Sequence, residues 1–162
     1  MKKVAALTLT VLTVFLCSCR AADKPETICI NRIFTAQAQI KYNSTAYTAD
    51  FTSDENGCSA VFLSPDRING LGTAVNGDKI TYSLDTLTFT AKSTSEQTLP
   101  IEAIYCALSS IPETATKSEN VYKLYGRTKF GNYTMDIDAK TLTPAFIEYT
   151  QAGITVRFEK ST

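Results

Sequence analysis

The 162-residue chain contains no histidine, which removes Ser-His-Asp and Cys-His nucleophilic catalysis and the commonest metal ligand. The chemistry-bearing groups that remain are the cysteines, a few acid pairs and a large aromatic set of eight Tyr and eight Phe. In the body of the chain Cys29, Cys58 and Cys106 are separated by 29 and 48 residues, which matches no compact metal motif. A cysteine nucleophile would need a base other than histidine. Asp50, Asp54 and Asn56-Gly57 have the spacing of the start of a calcium loop, but Val61 stands where the bidentate acid belongs, so the run reads as a solvated turn. Asp136 and Asp138 share one strand face like a paired-carboxylate site, while Tyr133, Met135 and Ile137 take the other face. That alternation assigns the acids to solvent. No acid–base or nucleophile constellation emerges, so the chain is expected to be no enzyme and to carry no metal or cofactor.

The elements that position these residues begin with a leader. Met1-Lys2-Lys3 is basic and Val4–Leu16 is apolar; this run is shorter than the roughly 20 residues a spanning helix needs and has the proportions of a secretory signal peptide. After it, composition is that of one globular domain, with 44% apolar and 20% charged residues. Lys plus Arg equals Asp plus Glu at 16 each, which argues against a nucleic-acid partner.

From Asn31 the pattern has period two. Phe34, Ala36, Ala38, Ile40 and Tyr42 alternate with polar residues, as do Tyr47, Ala49 and Phe51. Asp54 to Gly57 is a hairpin turn, leading to Cys58, Ala60 and Phe62; apolar Val61 and Leu63 suggest that this strand is covered on both faces. Ser64-Pro65 predicts a helical turn capped by Ser64. Asn76-Gly77 is the strongest hairpin signal, followed by Ile80, Tyr82 and Leu84 on one face and a short strand at Leu87 and Phe89. Ala91–Thr98 is a polar loop. The period then changes: Ile101, Ile104, Tyr105 and Leu108 form the stripe of one amphipathic helix over about residues 100–111, with Pro100 in its first turn and Ile111-Pro112 at its end. Glu113–Glu119 reads as a second polar loop, and four more strands follow as an antiparallel meander. About ten strands must curl. The expected architecture is therefore mainly β: a strongly curved antiparallel half-barrel with one inner helix.

Two resemblances add to this reading. Leu16-Cys17-Ser18-Cys19 resembles the lipobox of bacterial lipoproteins, which implies diacylglycerol on Cys19 and cleavage before it. The chain then divides into a signal peptide (1–18), a lipidated tether (19–28) and the half-barrel domain (29–162), held on the extracytoplasmic face of the cell membrane. Alternatives are a secreted protein cut near Ala21-Ala22 and an uncleaved anchor. Loss of residues 1–18 leaves 14 basic against 16 acidic residues, so lipid rather than charge would hold the protein to a bilayer. The layout also resembles the LolA/LolB-like half-barrels, especially small uncharacterised lipoproteins of Gram-positive bacteria. The residues carrying it are Phe62-Leu63-Ser64-Pro65 with Ile68-Asn69-Gly70-Leu71, and Gly126, Gly131, Tyr133–Asp138 and Pro144–Glu148.

That resemblance implies a concave cavity for an acyl chain or other apolar ligand. The inward set that would line it is Phe34, Ile40, Phe51, Phe62, Ile80, Tyr82, Phe89, Ile104, Tyr105 and Leu108. The same residues would equally fill a solid core, leaving an interaction or regulatory lipoprotein that contacts a membrane or envelope protein partner. Outside the cell Cys29 and Cys106 form a candidate disulfide; the alternative is three unpaired, mostly buried thiols.

Overall fold

The structure, a computed structural model, describes residues 28–93 and 99–160. The proposed signal peptide, Cys19 and most of the tether lie outside the described residues, as does most of the polar loop before the helix. The alternating runs become β1 Phe34–Tyr42, β2 Thr45–Ser53, β3 Cys58–Ser64, β4 Gly72–Asn76, β5 Lys79–Leu84 and β6 Leu87–Lys92. One helix, α1 Pro100–Ser109, separates them from β7 Thr114–Ser118, β8 Val121–Thr128, β9 Gly131–Asp138, β10 Pro144–Tyr149 and β11 Ile154–Lys160. All eleven strands make one antiparallel sheet in the order β6-β5-β4-β3-β2-β1-β11-β10-β9-β8-β7. The β1–β11 pairing, with Ala38 opposite Phe158 and Ile40 opposite Val156, joins two meanders into one surface.

The helix shows how far that surface curls. It packs against β3 and β4 on one side and β8 on the other. Six strand spacings separate β3 from β8 in the sheet, about 29 Å if flat at ~4.8 Å each. A helix about 10–12 Å wide touches both only if the sheet wraps it. The sheet stays open, with β6 and β7 as its edges: a half-barrel around a single helix. Register shifts between Thr48 and Ala49 and between Pro144 and Phe146 help it bend.

The core lies between helix and concave face. Ile101, Ile104 and Leu108 are buried as their spacing predicts, and Ala103 and Ala107 are buried too. These small side chains let β10 approach, and the Tyr149 hydroxyl donates to the Ala103 carbonyl at 3.1 Å.

Several expectations are corrected. Residues 114–118 form β7 rather than a loop; every one of its side chains is exposed, so backbone pairing with β8 makes the strand without a hydrophobic period. Among the described residues no second layer covers the convex face, leaving Val61 46% exposed and Leu63 37%, so β3 is covered there on one face only. Ala91 and Lys92 belong to β6. The turn after β3 is a 3-10 segment, Asp66–Ile68, with no side-chain cap; the Ser64 hydroxyl instead accepts from the Thr48 amide at 3.2 Å. The helix stops at Ser109, with Ser110 extended, because Pro112 disfavours helical backbone at Ile111.

Candidate apolar binding site

The concave face is filled along most of its length. Ile40, Phe51, Ile80, Ile104 and Leu108 are buried in a continuous core, and Phe34 packs on Phe51 and Phe158 with ring centroids 5.7 and 5.4 Å apart. Space opens at the N-terminal end of the helix. There Leu99, in extended backbone, hands over to Pro100 at the first helical position, which needs no amide hydrogen bond. Leu99, Pro100 and Ile101 line one part of a cavity of about 220 Å³; Tyr42, Tyr47, Phe62, Thr73 and Tyr82, contributed by β1 to β5, line another, and Ile68 and Leu71 complete it. Tyr47 meets Phe62 edge-on at 5.9 Å. At the roughly 30 Å³ that a water occupies in the liquid, and a methylene similarly, the cavity holds about seven such groups. That suits one chain end or one large side chain and excludes a whole diacyl lipid.

The cavity continues onto an exposed lip. Cross-strand partners on an antiparallel pair share a face, and β5–β6 places Ile80 opposite Ala91, Tyr82 opposite Phe89, and Leu84 opposite Leu87. Ile80 is buried, Tyr82 lines the cavity, and Leu87 and Phe89 stand 74% and 64% exposed. Phe89 stacks on Tyr82 at 6.2 Å. Burial, then the nearby Glu102 carboxylate, pushes the Tyr82 phenol above its ordinary range, so it remains a neutral donor and acceptor at the rim.

Of the ten cavity residues expected from the sequence, only Phe62 and Tyr82 meet around this space. Phe89 shares the inward face of Tyr82, as expected, but stands exposed on the edge strand β6. Tyr105 is half-buried, accepts from the Gly77 amide at 3.3 Å, and faces a cleft at the other end of the helix with Leu108. Tyr42 and Tyr47 were legible as inward residues through alternation; Ile68, Leu71 and Leu99 come from irregular segments that carry no period.

Beside the site lies a group the sequence did not announce. Glu102 is only 1% exposed; its Oε1 accepts from the Ser93 hydroxyl and the Lys129 ammonium. The link ties the end of β6 to the β8–β9 turn across the helix. Helix periodicity put Glu102 off the apolar stripe, and its partner is 27 residues away, so no local pattern could disclose it.

Cys29, Cys58 and Cys106 are free thiols, which matches the alternative of three unpaired thiols and not the candidate Cys29–Cys106 disulfide. Cys29 is exposed and lines a cleft with Ser110 and Ile111, beyond the helix end. Cys106 is half-buried within the helix, its thiol raised by burial and lowered in part by Lys129. Burial raises Cys58 to about 11. Asp54 Oδ1 accepts from the Asn56 and Gly57 amides, so the would-be calcium loop is a closed turn. Asp136 lies 3.7 Å from Lys123, and Asp138 Oδ1 holds the Lys140 and Thr141 amides. Among the described residues no cluster of three or more Cys, Asp or Glu is placed to hold a metal ion, and no helix is long and apolar enough to cross a membrane.

The fold and site thus define an open antiparallel half-barrel wrapped around one helix, with an apolar recess at the helix N-terminus. Similar outlines occur in an uncharacterized conserved protein from Thermus thermophilus (13% identity over 79% of this chain and 78% of that one, TM-score 0.49). They occur also in a LolA superfamily protein from Nitrosomonas europaea (8%, 82% and 87%, 0.44). A third is a chain of the CwlD amidase complex with the GerS lipoprotein from Clostridioides difficile (14%, 94% and 94%, 0.48). No protein-family profile and no curated protein matches the sequence.

Proposed function

We propose that this protein is a non-enzymatic, membrane-anchored extracytoplasmic lipoprotein that binds the end of a single apolar chain, such as an acyl chain, in the recess between the helix N-terminus and β1–β5. The observation that carries the reading is the recess itself: about 220 Å³, walled by aromatic and aliphatic side chains, and continuous through Tyr82 with the exposed lip of Phe89 and Leu87. Exposed apolar groups gathered beside a pocket mark binding surfaces. The anchoring half rests on the lipobox-like Leu16-Cys17-Ser18-Cys19.

Titration of the purified protein with a fluorescent fatty acid tests the binding half. Emission rises saturably and falls on adding unlabelled fatty acid, and Thr73→Leu, which fills the recess, weakens binding about tenfold or more. Non-saturable binding untouched by Thr73→Leu refutes it. Metabolic labelling with palmitate tests the anchor: label enters the native chain and not Cys19→Ser. The filled core favours a second reading, in which the lip and the adjoining β6 edge contact an envelope protein; binding of no fatty acid together with loss of a co-purifying protein in a Leu87→Lys variant would select it.

A further inference from the structure

The end of the domain opposite the recess carries its own apolar surface, and it is where the chain enters. Residues 28–33 run past the C-terminal end of the helix, fixed by the Asn31 amide donating to the Leu142 carbonyl at 2.9 Å. Clefts of about 650 and 480 Å³ flank this segment; Ile30 and Arg32 line both, Ile33 lines the first and Ile111 the second. Ile33 is 58% exposed and Ile111 86%, and Pro112 adjoins Ile111 in the same cleft. Neither isoleucine belongs to the core or the recess.

We propose that this surface rests on the bilayer that carries the lipid anchor, so that the recess opens away from that bilayer. The proposal rests on the anchor reading at Cys19. From Cys19 to Ile28 is nine residue steps, at most about 32 Å fully extended. A domain of this size has a radius of gyration of about 14 Å and is about 35 Å across. The tether is thus shorter than the domain is wide, and the end it enters stays nearest the membrane. The exposed Ile33 and Ile111 then meet the boundary between headgroups and acyl chains, where amphipathic surfaces insert. Arg32 is outnumbered at the clefts by Asp54, Glu55 and Glu113, so the contact is apolar and does not depend on anionic lipid. The helix, about 15 Å long, separates this surface from the recess, so the ligand reaches the recess from the aqueous side or from another carrier.

The chain has no tryptophan, so one introduced indole is a unique reporter. Full-length Ile111→Trp, Ile33→Trp and Leu87→Trp proteins, acylated in a bacterial host, are reconstituted into phosphatidylcholine vesicles with brominated acyl chains, and vesicle flotation is scored in parallel. Emission of the Ile111 and Ile33 variants falls by roughly half or more, since bromine quenches only an indole within the boundary region, while Leu87→Trp is unaffected. Quenching of Leu87→Trp alone, or of none while the protein floats, overturns the orientation and leaves the anchor standing. Failure to float overturns the anchor and the orientation with it.

Discussion

The carboxylate of Glu102 is a demanding group, because it is buried and, among the described residues, its charge is met by one cation, Lys129, whose own side chain is 43% exposed. A buried carboxylate deprived of its partner costs about 3–5 kcal/mol, and solvent at Lys129 reduces that. Lys129→Met is therefore expected to lower stability by about 2–3 kcal/mol in urea denaturation, and adding Glu102→Met to recover most of the loss. A second residue sets the alkaline limit. Burial raises the Cys58 thiol from its ordinary value near 9 to about 11, with the Asp54 charge adding to the shift and the Ser53 hydroxyl opposing it. The folded state then holds a proton that the unfolded chain releases above pH 9, so the contribution is complete below pH 9 and is lost as pH climbs toward 11. Two units correspond to about 3 kcal/mol. Denaturation midpoints measured from pH 8 to 11 should fall, and the fall should be shallower in Cys58→Ala. Burial also raises Tyr133 and Tyr149, so some alkaline slope persists in that variant. Burial of Cys58 was legible from its alternation with Ala60 and Phe62, whereas that of Glu102 was not: tertiary contacts decide it, and its neighbours in sequence give no sign of it.

Elements were legible where one face is buried and the other is wet. β1, β2, β9 and the helix stripe follow from side-chain alternation because burial and period coincide there. β7 was not, since an edge strand exposed on both faces has no reason to alternate. Turns occupy a middle ground. The β1–β2 hairpin closes through Asn43 and Ser44, with φ of 47° and 66°, the geometry of a two-residue type I′ turn, in which Asn-Gly is the favoured pair. Left-handed backbone costs a residue with a Cβ about 1–2 kcal/mol, and glycine's freer unfolded chain returns part of any gain. Ser44→Gly is expected to stabilise the domain by about 0.5–1 kcal/mol, read as a higher denaturation midpoint with an unchanged slope. Gly126 is the converse case. A Cβ there would sit 2.5 Å from the Tyr133 hydroxyl oxygen and 2.6 Å from its ring, because the tyrosine from β9 covers the glycine of β8 on the same face. Its ring edge is held by a 2.5 Å hydrogen bond between Tyr133 and Ser110 and has nowhere to move. Gly126→Ala should cost about 1–3 kcal/mol through overpacking.

For the molecule as a whole, a curled sheet around one helix follows from the strand count and the single stripe, whereas the volume inside does not. Phe51, Ile104 and Leu108 face inward whether the centre is hollow or solid, and it is solid; what stays open is the helix end, where Leu99, Ile68 and Leu71 lie in segments without a period. The proposed binding site therefore lies at the rim of the half-barrel rather than at its centre, and the exposed lip beside it contributes little to the core. Leu87 illustrates this separation. It pairs with Leu84 at the tip of β5–β6, is three-quarters exposed, and has no part in the core, so Leu87→Lys should change stability by no more than about 0.5 kcal/mol. If the lip extends the recess, the same change puts an ammonium beside the path of an apolar chain, and affinity for the fluorescent fatty acid should drop several-fold. If the recess acts alone, Leu87→Lys binds as the native protein does while Thr73→Leu still fails. The pair of variants therefore measures where the ligand ends: loss in both extends it from the recess onto the sheet edge, and loss in Thr73→Leu alone confines it to the space beside the helix N-terminus.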